Sequence, residues 1–395
     1  MKTERYELIN KKKSETTVIV GMSGGVDSSV CAAILKEEGY NVIGLFMKNW
    51  EEFDEYGVCQ SSKEYADVIR VCEKLSIPYY SIDFIKEYKE QVFNQFIEEY
   101  KLGYTPNPDV LCNREIKFKV FFEKAIELGA DFLATGHYCQ IREDKAGNPL
   151  LIKGSDPLKD QSYFLYTIKS EVLKKVLFPI GHLPKREVRK IAMQYDLATK
   201  NKKDSTGICF IGERNFKNFL SHYVVFEDGN FETLEGKIVG RHTGATYYTI
   251  GQRKGLGLGG QGEAWFVVGK DIKRNVVQVE RGIAHPAMYA DSLVASDLSF
   301  TKGGFNRELP YKCKAKIRYR QKDQECTITA IIDGKIYVDF DSPQRAITPR
   351  QSIVFYDNDI CLGGAMIEYS GATYYERKKP LLLVNEEDLE INSSI

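Results

Sequence analysis

Residues 17–39 read TVIVGMSGGVDSSVCAAILKEEG, and this stretch decides the fold of the first part of the chain. It consists of an apolar, β-branched run, a turn rich in glycine and serine, and a run of helical periodicity. A strand, a tight turn and a helix N-terminus make an anion site, because free N–H groups and the positive end of the helix dipole converge there. Gly24 and Gly25 allow close approach of the backbone to a ligand. Two glycines between Ser23 and Asp27 are more than a plain helix cap needs, so the stretch predicts a phosphate loop.

The phosphate loop is not of the Walker type, because no Gly-Lys-Ser or Gly-Lys-Thr follows. Asp27 is unusual in a phosphate cradle and predicts that Mg²⁺ bridges its carboxylate to the phosphates. The residues resemble the SGGxDS loop of the N-type ATP pyrophosphatases, which cleave ATP to AMP and pyrophosphate and usually adenylate a carbonyl oxygen. The loop alone leaves several members open: argininosuccinate synthetase, GMP synthetase, tRNA-lysidine synthetase and several tRNA thiolases.

The patterns along the chain predict three domains. From residue 17 to about 140, short β-branched or aromatic runs alternate with helical periodicity, which is typical of a parallel α/β sheet. GNPLL at 147–151 predicts a hairpin insertion, and 185–195 predicts a helix that closes this domain. Glycine-punctuated runs such as EGKIVG, ATYYTIG and AWFVVGK predict a small strand-rich middle domain, and several short strands after it predict a β-barrel.

We therefore expect an α/β chain with a Rossmann-like, parallel-sheet ATP pyrophosphatase domain, a small strand-rich middle domain and a C-terminal β-barrel. The expected boundaries are 1–16 for an N-terminal extension, 17–205, 206–285 and 286–372 for the three domains, and 373–395 for an acidic tail.

The composition excludes some classes of protein. The 55 Lys and Arg balance 55 Asp and Glu, so a nucleic-acid partner would have to be held by local basic patches. No apolar run approaches the roughly 18 residues that span a bilayer, which argues against a membrane protein. Nine cysteines without C-x-x-C spacing favour a reduced, cytoplasmic chain and no metal centre.

Two cysteines lie in settings that suggest chemistry. Cys112 follows two prolines that disfavour regular structure, and the helical pattern begins only at Asn113, so the thiol is expected at a helix N-terminus. Asp109 lies close enough in sequence to exchange a proton with it, although a half-buried structural cysteine is an equally good interpretation. Cys209 lies near basic residues that would favour a thiolate or persulfide anion: Lys200, Lys202, Lys203 and Arg214. The patterns place five other cysteines in the core: Cys31, Cys72, Cys139, Cys313 and Cys361.

A basic run, YKCKAKIRYRQK at 311–322, alternates cations with other residues. If it is one strand, a single face carries Lys312, Lys314, Lys316, Arg318, Arg320 and Lys322. A solvated sheet face is the ordinary interpretation of such a pattern. Six like charges repel unless a polyanion compensates them, so the pattern favours a surface that binds RNA.

The chain as a whole resembles the bacterial tRNA-specific 2-thiouridylase family. The resemblance rests on these stretches between residues 21 and 364: GMSGGVDSSV, GLFMKNWEE, TPNPDVLCNREIKF, ATGHY, KDQSYFLY, KKDSTGICFIGER, TIGQRKGLGLGG, RYRQ and VFYDNDICLGG. It implies an enzyme that adenylates the C2 carbonyl oxygen of the tRNA wobble uridine, U34, and replaces that oxygen with persulfide sulfur. The chain departs from the family pattern at Arg350, where a glycine is usual.

The resemblance assigns a role to each matching residue. For ATP with Mg²⁺ it implies Gly21, Met22, Ser23, Gly24, Gly25, Val26, Asp27, Ser28, Met47 and Gly136. For catalysis it implies Cys112 as nucleophile, Cys209 as persulfide carrier, with a disulfide between them, and Asp109. Asn107, Pro108 and Asp109 would meet the target base. The residues that would reach tRNA are His137, Lys159, Asp160, Gln161, Arg318, Tyr319 and Gln351.

The implied partners are the anticodon stem-loops of tRNAs for Lys, Glu and Gln and a protein that donates persulfide sulfur. Two alternatives stay open. An AMP-forming amide ligase could use the same loop but would not need the two cysteines, and an RNA-binding protein that senses ATP would release no pyrophosphate.

Overall fold

The structure, a computed structural model, describes residues 11–51, 59–204, 219–224 and 227–381. The strands of the first domain are β1 (Thr17–Met22), β2 (Asn41–Lys48), β3 (Tyr79–Asp83), β4 (Phe132–Ala134), β5 (Cys139–Glu143), β6 (Pro149–Lys153) and β7 (Val176–Leu177). Its helices are α1 (Val26–Glu37), α2 (Gln60–Leu75), α3 (Ile85–Tyr88, Lys89–Phe93 and Asn94–Lys101), α4 (Pro108–Leu111, Cys112–Val120 and Phe121–Glu127), α5 (Ser162–Leu165), α6 (Ser170–Leu173) and α7 (Lys185–Gln194).

Five of these strands form one parallel sheet in the order β3-β2-β1-β4-β7. The parallel α/β architecture predicted from the sequence is confirmed. Val18 and Val20 of β1 have no exposed surface because helices cover both faces of the sheet, which is why this strand reads as a continuous apolar run. The helix predicted at 185–195 is α7.

The middle domain has one sheet in the order β10-β11-β8-β9. Its strands are β8 (Gly229–Glu232), β9 (Ile238–His242), β10 (Trp265–Asp271) and β11 (Val276–Arg281). The strand expected at ATYYTIG is wrong, because Ala245–Tyr247 forms a single 3₁₀ turn after Gly244, whose φ is +131°. Tyr248 packs its ring on Phe231, 5.2 Å between centroids, so this run covers a face of the sheet instead of pairing in it.

The C-terminal domain is a closed six-stranded barrel, in the order β12-β15-β14-β13-β16-β17 with β12 paired to β17. Its strands are β12 (Tyr289–Phe300), β13 (Tyr311–Lys316), β14 (Gln324–Ile332), β15 (Lys335–Arg345), β16 (Ser352–Asp357) and β17 (Ile360–Ser370). The barrel core contains Ile328, Ile336 and Ile353, each without exposed surface. The predicted barrel is confirmed.

The predicted hairpin, β5 and β6, lies in the first domain by sequence but pairs with the barrel. Cys361 of β17 is in register with Leu151 of β6, and the Lys153 N–H donates to the Asp359 carbonyl at 2.9 Å. The hairpin therefore ties the ATP domain to the barrel through one continuous sheet. The five cysteines assigned to the core are all buried: Cys31, Cys72, Cys139, Cys313 and Cys361.

Candidate active site

The phosphate loop connects β1 to α1 at the carboxyl edge of the parallel sheet. Gly24 has a φ of +71°, and a Cβ atom there would lie 2.6 Å from the Glu64 carbonyl oxygen, so glycine is required. The Ser23 N–H donates to Ser28 Oγ at 3.2 Å, which closes the turn over the start of α1. The N-cap position is Gly25, whose backbone is extended. The loop therefore has the strand–turn–helix form predicted for an anion site.

A second loop, residues 135–138, follows β4 and lies against the phosphate loop. The strands β2 and β4 pair on opposite sides of β1, so the strand order reverses there, and open α/β sheets bind ligands at such points. A Cβ atom on Gly136 would lie 2.9 Å from Ser28 N, so the two loops are in close contact. Met47 lies half-buried near the end of β2. The residues assigned to ATP are therefore all at the carboxyl ends of three neighbouring strands.

A network of ion pairs surrounds the carboxylate of Asp27. Lys185 Nζ donates to its two oxygens at 2.7 and 2.8 Å, and Tyr138 Oη donates to one of them at 2.8 Å. Lys185 also pairs with Asp204 at 2.9 Å, and Asp204 pairs with Arg189 at 2.6 Å. Lys185, the central cation, comes from the start of α7, far from the loop in sequence.

The pKa values of two groups in this network follow from their surroundings. Burial would raise the pKa of Asp204, but hydrogen bonds from Lys159 and Lys185 outweigh it and lower the pKa to about 2. Burial, together with the negative charge of Asp27, raises the pKa of Tyr138, so its hydroxyl remains a donor. Near neutral pH, Asp204 is therefore a carboxylate and Tyr138 a neutral phenol.

A second lysine reaches the phosphate loop from outside. Lys202 Nζ donates to the Gly24 carbonyl at 2.9 Å and pairs with Asp67 of α2 at 2.7 Å. Sequence reasoning noted Lys202 only as part of a basic run near Cys209 and missed Lys185 altogether. The charged residues of α7 did not indicate that Lys185 belongs to the site, because helices with such a pattern ordinarily face solvent.

The helix that carries Cys112 begins earlier than expected. Asn107 occupies the N-cap position of α4 and Pro108 its first turn, so Cys112 lies beyond that turn at the start of a π-helical stretch. The expectation of a thiol at the helix N-terminus is therefore wrong. Pro108 was expected to prevent a helix, but it lies in the first turn of α4, where proline is well tolerated. Asp109 lies in the first turn and is half-buried.

Cys112 is buried in an aromatic cluster and has no exposed surface. The cluster includes Phe93 and Phe96 of α3, and also Phe219 and Leu220, which follow the segment that contains Cys209. Cys209 itself lies outside the described residues. Reaction at Cys112 therefore requires the side chains of this cluster to move.

The loop before α4 is held by both other domains. Gln351 of the barrel donates its Nε2–H to the Thr105 carbonyl at 2.6 Å, and Thr105 Oγ1 lies 3.2 Å from Thr249 Oγ1 of the middle domain. Lys270 Nζ, also in the middle domain, donates to the Gly103 carbonyl at 2.5 Å. The segment that leads to Asn107, Pro108 and Asp109 thus lies where the three domains meet.

His137 is among the residues expected to reach tRNA, and it is buried beside the phosphate loop. Its Nδ1 lies 2.8 Å from Thr135 Oγ1, and its ring contacts those of Phe118 and Phe178. Burial, with a smaller contribution from Lys117, lowers the pKa of His137 well below its usual value. The imidazole is therefore neutral at pH 7.

The KDQ stretch expected at tRNA forms a loop beside the same network. Asp160 is buried, and its carboxylate accepts hydrogen bonds from the Gly154 and Ser162 N–H groups at 3.0 and 3.1 Å. Gln161 Oε1 accepts from the Tyr138 N–H at 2.9 Å. Asp160 and Gln161 therefore shape the loops around the site, and their contact with tRNA stays a prediction.

Lys159 and Tyr319 lie at the outer side of this loop. Lys159 Nζ pairs with Asp204 at 2.7 Å, and the Tyr319 ring lies 4.4 Å from that of Phe164. Both side chains are half-buried, and their contact with tRNA also stays a prediction.

The expected face of six cations is wrong. The strand β13 ends at Lys316, which is buried and lies 3.4 Å from Asp160 and 3.8 Å from Asp323. Arg318 donates to the Ile250 and Ala346 carbonyls at 3.0 and 2.9 Å, and burial lowers its pKa to about 10. The loop after β6 covers this end of the strand. Carboxylates of the protein therefore pair with Lys316, and backbone carbonyls accept from Arg318. The exposed cations of the run are Lys312, Arg320 and Lys322.

The contrast between the buried Lys316 and the exposed Lys312 and Arg320 gives a prediction about stability and RNA binding. We expect Lys316→Met to lower the free energy of unfolding by about 1–3 kcal/mol, because Asp160 loses a buried partner. We expect the double variant of Lys312→Ala and Arg320→Ala to keep its stability and to flatten the slope of log affinity for tRNA against log salt. Urea denaturation and filter binding at several salt concentrations measure the two effects. An unchanged slope in the double variant would mean that these cations are solvated surface.

No group of three or more His, Cys, Asp or Glu side chains is placed to hold a metal ion within the described ranges. Among the helices described, none is long and apolar enough to cross a membrane.

Comparison with known proteins covers almost the whole chain. Residues 16–213 match the family described as tRNA methyl transferase HUP domain, 217–281 the tRNA methyl transferase PRC-barrel domain, and 290–367 the Aminomethyltransferase beta-barrel domain. The tRNA-specific 2-thiouridylase MnmA of Protochlamydia amoebophila (strain UWE25) is 62% identical over 369 residues, which are 93% of this chain and 98% of that protein. The protein of the same name from Staphylococcus carnosus (strain TM300) is 57% identical over 354 residues, 90% of this chain and 95% of its own.

The parallel sheet, with a glycine-rich loop at its switch point, and the family match over residues 16–213 define the first domain as a HUP domain. Identity of 57–62% over nine-tenths of the chain is decisive for the family. The chain belongs to the tRNA-specific 2-thiouridylase family. The roles of individual residues and the domain boundaries stay predictions.

Proposed function

We propose that this chain replaces the C2 oxygen of the wobble uridine U34 with sulfur, using ATP and a persulfide on Cys209. The coarser activity, ATP-dependent 2-thiolation of tRNA by a tRNA sulfurtransferase, follows from membership of the family. The C2 carbonyl oxygen attacks the α-phosphorus of ATP, and pyrophosphate leaves. The terminal persulfide sulfur then attacks C2 and AMP leaves. Cys112 attacks Cys209 Sγ, which releases 2-thiouridine and leaves a disulfide that a dithiol reduces.

One observation carries the proposal: the chain on either side of Cys209 is held at the two halves of the site. Asp204, before Cys209, is bonded to Lys185 beside the phosphate loop. Phe219, after Cys209, packs in the cluster that buries Cys112. The segment with Cys209 therefore connects the place of adenylation with the other reactive thiol.

Asp27 would hold the proposed Mg²⁺ in exchange for Lys185, which donates to both of its oxygens. Mg²⁺ in nucleotide sites is ordinarily held by one or two carboxylates and the substrate phosphates, and Asp27 is the carboxylate on the phosphate loop. When bound, Mg²⁺ would neutralise charge on the phosphates, while the loop N–H groups orient them. ATP and Mg²⁺ are proposed as substrate, with no permanently bound cofactor.

The proposed macromolecular partners are the anticodon stem-loops of tRNAs for Lys, Glu and Gln, and a protein that loads Cys209 with persulfide sulfur. Recognition would take place at the junction of the three domains, where Gln351 and Thr249 hold Thr105. A base flipped into this junction would meet Asn107, Pro108 and Asp109. We place the reaction in the cytoplasm.

The test uses the full-length chain with unmodified tRNA transcript, ATP, Mg²⁺, a persulfide-loaded donor protein and a dithiol. We expect 2-thiouridine at position 34, measured by nucleoside mass spectrometry, together with pyrophosphate release that depends on tRNA. Pyrophosphate release without tRNA would favour the amide-ligase alternative. Binding of tRNA and ATP without pyrophosphate release would favour an ATP-sensing RNA-binding protein. Either result would overturn the proposal.

A further inference from the structure

Two lysine side chains that do not belong to the phosphate loop form hydrogen bonds with it. Lys185 Nζ lies 2.7 and 2.8 Å from the oxygens of Asp27, and its side chain is 12% exposed. Lys202 Nζ lies 2.9 Å from the Gly24 carbonyl, and its side chain is 34% exposed. The loop already offers backbone N–H groups and the N-terminus of α1, so these lysines add full positive charges to a site built for anions.

Lys185 is shared between two carboxylates, and one of these is shared in turn. Among the described residues, Lys185 pairs with Asp27 and Asp204, Lys159 and Arg189 pair with Asp204, and Asp156 accepts from the Lys185 N–H at 3.0 Å. Lys159 and Arg189 both pair with Asp204, so that carboxylate is compensated without Lys185. If Asp27 turns to another cation, the Lys185 ammonium keeps only Asp204, which it shares with Lys159 and Arg189, so a further anion would be favourable there.

We propose that Lys185 and Lys202 bind the phosphates of ATP and stabilise the pyrophosphate that leaves. The inference rests on the proposed use of ATP and adds residues to that site. During adenylation the bond between the α-phosphorus and the bridging oxygen breaks, and its electron pair stays on the pyrophosphate. Lys185, released by Asp27, and Lys202, released by the Gly24 carbonyl, donate to the oxygens that gain this charge.

The arrangement of Lys202 supports this assignment. Its ammonium has three N–H donors, and the described residues provide two acceptors, the Gly24 carbonyl and Asp67, so a third donor can serve a ligand. It is also one-third exposed, so its ammonium can move toward a ligand without leaving a buried charge behind.

Binding of inorganic pyrophosphate to the full-length chain, measured by calorimetry, tests the proposal without catalysis. We expect Lys185→Met and Lys202→Met each to weaken pyrophosphate binding at least about 10-fold, because each removes a charge-assisted hydrogen bond. Lys185→Arg keeps the charge and should retain most of the affinity. Affinity for tRNA should stay unchanged in all three variants.

Lys190→Met is the matched control, because Lys190 lies on the same helix α7 and its one partner among the described residues is Glu187, at 3.0 Å. It should bind pyrophosphate like the unaltered chain. If Lys185→Met fails to fold, Lys202→Met and Lys185→Arg still decide the matter. Unchanged pyrophosphate affinity in a folded Lys202→Met or Lys185→Met variant would overturn the proposal for that lysine. If the unaltered chain thiolates tRNA, such a result leaves the proposed function intact, and if it makes no 2-thiouridine, the function itself is wrong.

Discussion

Replacing Cys112 or Cys209 with serine is expected to abolish 2-thiouridine formation while tRNA adenylation continues. Without Cys209 there is no persulfide carrier, and without Cys112 the bond between carrier and transferred sulfur is not resolved. Adenylation needs only the phosphate loop and the bound base, so pyrophosphate release should remain in both variants. Mass spectrometry of nucleosides and a pyrophosphate assay on the same reactions measure the two steps separately.

A matched control separates this effect from the cost of replacing a buried thiol. Cys326 lies in the barrel with its sulfur 3.7 Å from that of Cys313, which gives a serine hydroxyl a partner. Cys326→Ser should therefore fold and thiolate normally. Normal 2-thiouridine from Cys112→Ser or Cys209→Ser would mean that the two-cysteine mechanism is wrong for this chain.

The two thiols must also meet, with their Cα atoms about 4.4–6.8 Å apart when the disulfide forms. We expect tRNA binding to bring them together, because Cys112 is enclosed by its aromatic cluster. Mass spectrometry of the disulfide, with and without tRNA, checks this. Equal amounts of disulfide in both samples would contradict it.

The phosphate loop could be predicted because its signal is local. An apolar strand, the turn and the first turn of α1 are adjacent in sequence, so the residues 17–39 contain the whole pattern. The start of α4 was missed although it is local too. Pro108 was taken as a breaker, yet proline is well suited to the first turn of a helix, where its missing N–H costs nothing.

Lys316 and Lys185 show that a sequence pattern does not predict which distant residues a side chain will contact. Period-two spacing predicts which side chains share a face of β13, but not that a loop from another domain covers Lys316. Lys185 reaches Asp27 across 158 positions of sequence, and no spacing rule connects them. Contacts of this kind depend on how α7 packs beside α1, which only the folded chain defines.

Asp27→Asn is expected to lower ATP turnover by about 100-fold or more, with tRNA affinity almost unchanged. The amide keeps the size of the side chain. Its oxygen can accept from Tyr138 and Lys185 at the Oδ1 position, whereas the second bond from Lys185, to Oδ2, is lost because an amide nitrogen does not accept. What it loses is the negative charge that would hold Mg²⁺ against the phosphates. Pyrophosphate release with saturating tRNA, and filter binding of the same tRNA, measure the two quantities.

Asp196→Asn is the control for this substitution, because Asp196, just after α7, pairs with Lys74 and Lys200 away from the phosphate loop and is itself 64% exposed. It should keep both activities. Because Asp27 also pairs with Lys185, the melting temperature of the variant measures any structural loss separately from ATP turnover. If Asp27→Asn lost tRNA binding as strongly as ATP turnover, the carboxylate would belong to the RNA site, and its assignment to Mg²⁺ and the phosphates would be wrong.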